Sequence, residues 1–360
     1  MATRASAVHQ QGPAEWGLTG LGSFPRLRAL AWHGNVLYAS RGYSLLRAKI
    51  TTAQPQWEHV ARSNPPWWRV CTASSRLSFR LCRDGFHALA VLPNGRLVGA
   101  VPHYIVTLAP ADEAFTVSHK ILRGTRPLHI AATPDGHLFW GEYFNNAERE
   151  EVRIYGSSDG GRHWDVAYLF EKGAIRHVHN IVYDRWDDCL WILTGDEGAE
   201  CRILRASCDF RNVEVALSGT QQTRSAALVP MADAIYFSSD TPFETNHIYR
   251  LDRRGGLSEI ATLSSSSICG CAVGDAVFFS TMVEPSAANP EGKVHVYGGT
   301  PGGDWQQLLT WNKDRWPMKW FQFGNAFLPD GHNTSGVLAV STIATQTDDL
   351  RTTVWRISIA

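Results

Sequence analysis

The segment Arg176-His177-Val178-His179 carries two imidazoles one residue apart. On a strand, alternate side chains point to one side, so His177 and His179 can act together while Arg176 faces away or lies in the preceding loop. Two imidazoles beside a carboxylate make either a divalent-metal chelate or an acid–base couple. Glu142, within Trp140-Gly141-Glu142-Tyr143, and Asp196, within Thr194-Gly195-Asp196, are the carboxylates expected nearby. Tyr143 adds a phenolic proton donor. The plainer alternative for Glu142 is a buried carboxylate held by an arginine such as Arg153.

These residues share a site only if the fold gathers them, and the chain repeats in a way that would do so. A short apolar, β-branched or aromatic run follows a turn signal seven times, beginning at Val36, Leu97, Leu138, Leu190, Ile235, Val277 and Val337. The intervals are 61, 41, 52, 45, 42 and 60 residues, averaging about 50. A second run follows most of these at loop spacing, as at Val152-Arg153-Ile154-Tyr155 and Val294-His295-Val296-Tyr297. A small-residue strand such as Ala29-Leu30-Ala31 precedes the turn. Three or four short strands per unit, with no convincing 3.6-residue period, predict an all-β chain: one seven-bladed β-propeller over residues 1–360.

In such a ring, with strands A to D running outward in each blade, the starts of the A strands and the ends of the B strands fall on one face. The B ends supply Arg41, His103, Glu142, Asp196, Asp240 and Glu284, and the A starts supply Arg28, His87, His129 and His179. Histidines and acids stand where a plain turn would use Ser, Asn or Gly. The expectation is that they converge on the mouth of the central channel, where a divalent metal is the one cofactor candidate. Trp67 and Trp68, and Trp311, Trp316 and Trp320, fall in crossings assigned to that face. Aromatic faces beside carboxylates, Arg and His fit a carbohydrate cleft, with Trp68 and Trp316 as stacking platforms and Arg176, Arg41, His103, Asp196, Asp240 and Glu284 as polar contacts.

Ser157-x-Asp159-x-Gly161-x-x-Trp164 is similar to the Asp-box, or BNR repeat, with further copies at Gly298-x-Thr300-x-Gly302-x-x-Trp305 and Ile50-x-Thr52-x-Gln54-x-x-Trp57. With Trp140-Gly141-Glu142-Tyr143, Arg176-His177-x-His179, Thr194-Gly195-Asp196 and Glu284-Pro285-Ser286, it makes the chain resemble bacterial BNR-repeat sialidase-like proteins over most of its length. The resemblance implies a propeller with Asp-box hairpins.

The His/Tyr/Arg mixture is similar to that of propeller polysaccharide lyases, which implies β-elimination on a uronate-containing oligosaccharide. Arg176 or a metal would then neutralise the carboxylate, His179 or His177 abstract the proton, and Tyr143 or His129 protonate the leaving oxygen. The alternatives are a glycoside hydrolase pairing Glu142 with Asp196 or Asp240, and a propeller that binds glycan without cleaving it.

Composition narrows the partners. The 34 Lys and Arg balance 34 Asp and Glu, so the chain lacks the basic footprint of a nucleic-acid or polybasic membrane binder. No window approaches a membrane-spanning length, and Met1 to Gln11 contains no apolar leader, so a cytoplasmic location is expected. The seven cysteines lack CxxC spacing and read as reduced core thiols.

Overall fold

Seven antiparallel sheets account for nearly every strand in the computed structural model, which describes residues 16–51, 54–284, 286–288 and 290–359. The chain lays down each sheet from the axis outward, so blade 1 is Arg28–Gly34, Val36–Arg41, Ser44–Lys49 and Glu58–Arg62. Blades 2 to 6 repeat that order. The apolar runs picked out by the repeat are the second strands, Val36–Arg41, Leu97–Val101, Leu138–Gly141, Cys189–Thr194, Ala234–Ser239, Ala276–Thr281 and Val337–Ile343, and all seven are buried almost throughout. The protein is a seven-bladed β-propeller.

Ring closure comes from a segment with no repeat signature. Blade 7 contributes only Asn325–Phe327, Val337–Ile343 and Arg351–Ile359 from the C-terminal end, and its outer strand is Trp16–Pro25. That strand runs antiparallel to the last, from Trp16 opposite Ile359 to Pro25 opposite Arg351. A further inner strand, Asp330–Asn333, pairs in parallel with Arg28–Gly34 and stitches blade 7 to blade 1. Small inner residues such as Ala29, Ala31, Ala88, Ser225, Ser267 and Ala326 are all buried, as crowding at the axis demands.

The turn at residues 157–164 joins the two outer strands of blade 3. Ser157 Oγ accepts from the Gly161 amide (2.9 Å), and Asp159 Oδ1 accepts from the amides of Arg162 (2.9 Å) and His163 (3.0 Å). The Trp164 indole lies edge-on to Trp140 and donates to Gly161 O at 3.2 Å. At the second copy Trp305 stacks on Phe279 and reaches Tyr236 of the preceding blade, and among the described residues no side-chain hydrogen bond from Thr300 closes that turn. Thr52 of the third copy lies outside the described residues, as do Pro285 and Met1 to Gln11.

Helices occur where the repeat predicts only crossings. α1 (Trp67–Thr72) and α2 (Arg76–Cys82) fill the passage from blade 1 to blade 2, and α3 (Met318–Phe321) lies between blades 6 and 7. Pro66 and the Ser75 cap, whose Oγ accepts from the Ser78 amide at 3.2 Å, start the first two. At one or two turns each, they are too short for a period to show in sequence. Buried Asp84 anchors them by accepting from Arg69 (2.7 Å), Thr72 (2.6 Å) and Tyr43 (2.8 Å). No described helix is long and apolar enough to cross a membrane.

Candidate functional site

His177 sits immediately before the inner strand Val178–Asp184 of blade 4, and His179 occupies a bulge in it, between the pairs Val178–Thr194 and Asn180–Leu193. A bulge re-aims a side chain without breaking the sheet. Each imidazole is anchored through Nδ1 to a backbone carbonyl, His177 to Phe144 O at 3.1 Å and His179 to Ser225 O at 2.9 Å. A carbonyl only accepts, so both Nδ1 atoms carry the proton and both Nε2 atoms present lone pairs when the rings are neutral. The two Nε2 atoms face each other at 2.9 Å. Asp196 Oδ1 stands 3.5 Å from one and 3.3 Å from the other.

Three converging acceptors, two of them buried, call for either a shared proton or a bound cation among them. Their separations match one face of a coordination shell with bonds of about 2.1 Å, and the donor set of two imidazoles and one carboxylate suits a first-row divalent ion. Burial, the leading cause, lowers the pKa of His179 and keeps it neutral as a ligand must be. Burial works the other way on Asp196, but its interactions with His177 and His179 hold its carboxyl well below the usual carboxylate range, an effect that needs a proton or a cation at the Nε2 atoms. These are the residues that could hold the metal.

Two glycines make the geometry attainable. A Cβ at Gly141 would lie 2.4 Å from Val178 Cβ, so only glycine lets blade 3 bring Glu142-Tyr143 against blade 4. Gly195 has φ +90°, and a Cβ there would lie 2.0 Å from Glu200 O. It turns the chain after Thr194 so that Asp196 points back at the histidines.

Tyr143 packs on this triangle, its ring centroid 4.4 Å from that of His177 and 6.2 Å from that of His179. Burial, aided by Asp240 and Asp196, pushes its hydroxyl up to about 12, so it stays protonated. Across from it Arg224 spans Asp196 (3.5 Å) and Asp240 (3.8 Å). Asp240 is pushed up to about 7, first by burial and then by Glu284 and Asp196, with Arg224 opposing. Glu284 accepts from Ser266 Oγ at 3.1 Å. Arg126 lies close enough to Tyr143 for each to affect the other's titration, and its guanidinium has no ion pair among the described residues. Burial, then Arg28 and Arg83, lower it to about 9.

The fold therefore gathers Tyr143, His177, His179, Asp196, Asp240 and Glu284 from blades 3 to 6, and Arg176 joins them through Asp196 at 3.1 Å. Other predicted residues go elsewhere. Glu142 is buried and engaged by the Arg123 guanidinium on both oxygens and by the Arg153 amide at 2.9 Å, three donors that hold it in place and compensate its charge rather than leaving it poised for substrate chemistry. The clamp is Arg123, with Arg153 contributing through its backbone. His129 pairs with Asp330, on the inner strand that stitches blade 7 to blade 1, at 2.9 Å rather than with the other histidines. His103 is exposed and near Arg69 and Arg126, and Arg41 lies at a separate cavity beside blade 1. Trp68 and Trp316 belong to the helical rim: Arg69 stacks on the first at 4.5 Å, and Arg76 and Arg80 on the second at 4.7 Å.

Arg224 and Arg126 were absent from the sequence prediction. Arg224 had a signal, since it occupies the same A-strand start as Arg28, His87 and His179. Arg126 lies in a crossing with no repeat phase.

No protein-family model matches the chain, and no curated protein does. Among solved structures it is similar to the WD40 propeller domain of Doa1, with a TM-score of 0.58 at 10% identity over 94% of this chain and 96% of that one. It is equally similar to the oligogalacturonate lyase of Vibrio parahaemolyticus, with a TM-score of 0.58 at 9% identity, covering 96% and 97%. A GH74 enzyme of Niastella koreensis gives 0.51 at 14% identity, covering 81% of this chain and 46% of that one. At such identities the likeness establishes the propeller, and two of these structural neighbours are carbohydrate-active.

Proposed function

We propose that the central mouth binds an acidic saccharide and cleaves it by β-elimination. The observation that carries this reading is the set of groups within electrostatic reach of Tyr143: Arg126, which has no ion pair among the described residues, and Asp240, a buried carboxylate poised near neutrality. Arg126 binds and neutralises the substrate carboxylate, a role Arg176 cannot fill because it is held on Asp196. Asp240 takes the proton from the carbon next to that carboxylate. The electron pair becomes a carbon–carbon double bond as the β carbon–oxygen bond breaks, and the Tyr143 hydroxyl protonates the departing oxygen. The proton on Asp240 then returns to the tyrosine side through solvent. A divalent ion on His177, His179 and Asp196 would supply further electrostatic stabilisation of the enolate-like charge. With both Nε2 atoms directed at that point, the histidines position and hold rather than abstract.

A propeller fold shared with the oligogalacturonate lyase of Vibrio parahaemolyticus supports a saccharide at the mouth. The engagement of Glu142 by Arg123 weighs against a hydrolase built on that residue. The test is incubation with uronate-containing oligosaccharides, read by the ultraviolet absorbance of the unsaturated product and by new reducing ends. Both signals together are expected. Reducing ends alone would mean hydrolysis, and binding without either would mean a module. Metal analysis of the purified protein should find about one divalent ion per chain, lost in His177→Ala and His179→Ala; a metal-free wild type would remove the ion from the scheme.

A further inference from the structure

On the same face of the ring, a cavity of about 260 Å³ lies where blades 7 and 1 meet, roofed by α1 and α2. Its walls combine two chemistries. Phe79, Phe86 and Phe327 give it aromatic surface, and Leu27, Val70 and Ile343 extend the apolar lining. Five arginines also reach it, Arg26, Arg28, Arg41, Arg62 and Arg76, and no acidic residue lines it. Arg76 is neutralised outside the cavity by Asp349 at 2.5 Å. The other four have no carboxylate partner among the described residues: Arg26 donates to Ser74 O at 2.8 Å, and Arg28 donates to His87 O at 3.4 Å and stacks on Phe327 at 4.0 Å.

Arg28 is the deep member of the group. Its Nε is sealed from solvent with no hydrogen-bond partner, and burial lowers its pKa to about 10. A half-buried guanidinium in an aromatic-walled pocket, with three more arginines around it and Asp330 acting on it without forming an ion pair, is an incompletely compensated arrangement in the absence of a ligand. Planar guanidinium forks match the oxygens of a carboxylate or phosphate, and aromatic walls match a flat apolar body. We infer that this cavity is a second binding site, for a small amphipathic organic anion: a carboxylate or phosphate head on a single-ring apolar body. Its lining includes none of the mouth residues of blades 3 to 6, although Arg28 lies within electrostatic reach of Arg126, and the inference does not depend on the elimination chemistry.

Isothermal titration of the full chain with phenylacetate, phenyl phosphate and benzyl alcohol tests the inference. At least one of the two anions should bind with millimolar or tighter affinity, the neutral alcohol at least tenfold more weakly, and the preferred anion identifies the head group. Arg41→Ala and Arg62→Ala, both at exposed positions, should each weaken anion binding fivefold or more without changing the melting temperature. Ala73→Phe, which fills the cavity without altering a charge, should abolish it. Absence of binding by both anions, equal binding of the alcohol, or indifference to all three substitutions would overturn the inference. Turnover of saccharide at the mouth should be unchanged by Arg41→Ala and Arg62→Ala, which separates this test from the fate of the lyase proposal.

Discussion

Asp240 and Glu142 are both buried carboxylates at the end of a second strand, yet their surroundings give them opposite properties. Glu142 meets the Arg123 guanidinium and a backbone amide, so its charge is compensated; Asp240 meets one arginine at 3.8 Å and two further acids. Removing one partner of a buried pair leaves the other uncompensated, so Glu142→Ala should lower unfolding free energy by about 3 kcal/mol, measured by urea denaturation. For Asp240 the sign reverses. Its folded pKa of about 7 lies above the unfolded value, so the native state holds a proton that the unfolded chain gives up, and the residue costs stability increasingly from pH 4 to pH 7. Asp240→Asn should therefore raise the melting temperature at pH 8 and have little effect at pH 4, while lowering the elimination rate at least about 100-fold. A variant that is both less stable at pH 8 and fully active would remove Asp240 from the base role. Sequence placed both residues by repeat position and could not separate them, because the discriminating partners, Arg123 and Arg224, come from neighbouring segments whose side-chain directions no repeat specifies.

At the scale of the element, the legible features were those set by local chemistry. Turn residues and β-branched runs located the second and third strands of nearly every blade, because alternation and φ > 0 at glycine are written into the chain. The outer turn at residues 157–164 was legible for the same reason, and it yields a prediction of its own. Asp159 accepts from Ser157, from two backbone amides and from the His163 ring, and these bonds overcome its partial burial to hold its pKa well below the usual carboxylate range. A depressed carboxylate stabilises the fold above its unfolded pKa and loses that contribution as pH falls through its folded value. Asp159→Ala should thus cost about 1–2 kcal/mol at pH 7, discounted for the exposure of the turn, with the deficit shrinking toward pH 2 in thermal melts. A deficit that stayed constant over that range would mean the turn is held by its glycines and tryptophan alone. The three short helices were illegible by contrast, since they are held by contacts from outside their own turns: Asp84 on Arg69 of α1, Asp314 on Arg80 of α2, and Arg80 on Phe321 O of α3.

The molecule as a whole depends on one closure that no repeat announces. Trp16–Pro25 is glycine-rich and lacks the turn-then-apolar signature, yet it completes blade 7 along the whole of Arg351–Ile359. Trp16 also lies edge-on to Phe278 of blade 6, and Phe24 to Trp57 of blade 1, so the strand bridges two seams. Closure is what brings Asp330, on the strand that stitches blade 7 to blade 1, to His129 of blade 3. Deleting residues 1–25 exposes an unpaired edge on Arg351–Ile359 and removes both aromatic contacts, whereas deleting 1–15 leaves every described pairing in place. The longer deletion should lower the melting temperature by at least about 10 °C, a loss of several kcal/mol for a chain of this size, and should favour strand exchange between copies visible by size-exclusion chromatography. Equal melting of the two truncations would show that the ring is held shut by its inner strands, chiefly the parallel pairing of Asp330–Asn333 with Arg28–Gly34, and that the outer strand is a cover added to a ring already closed.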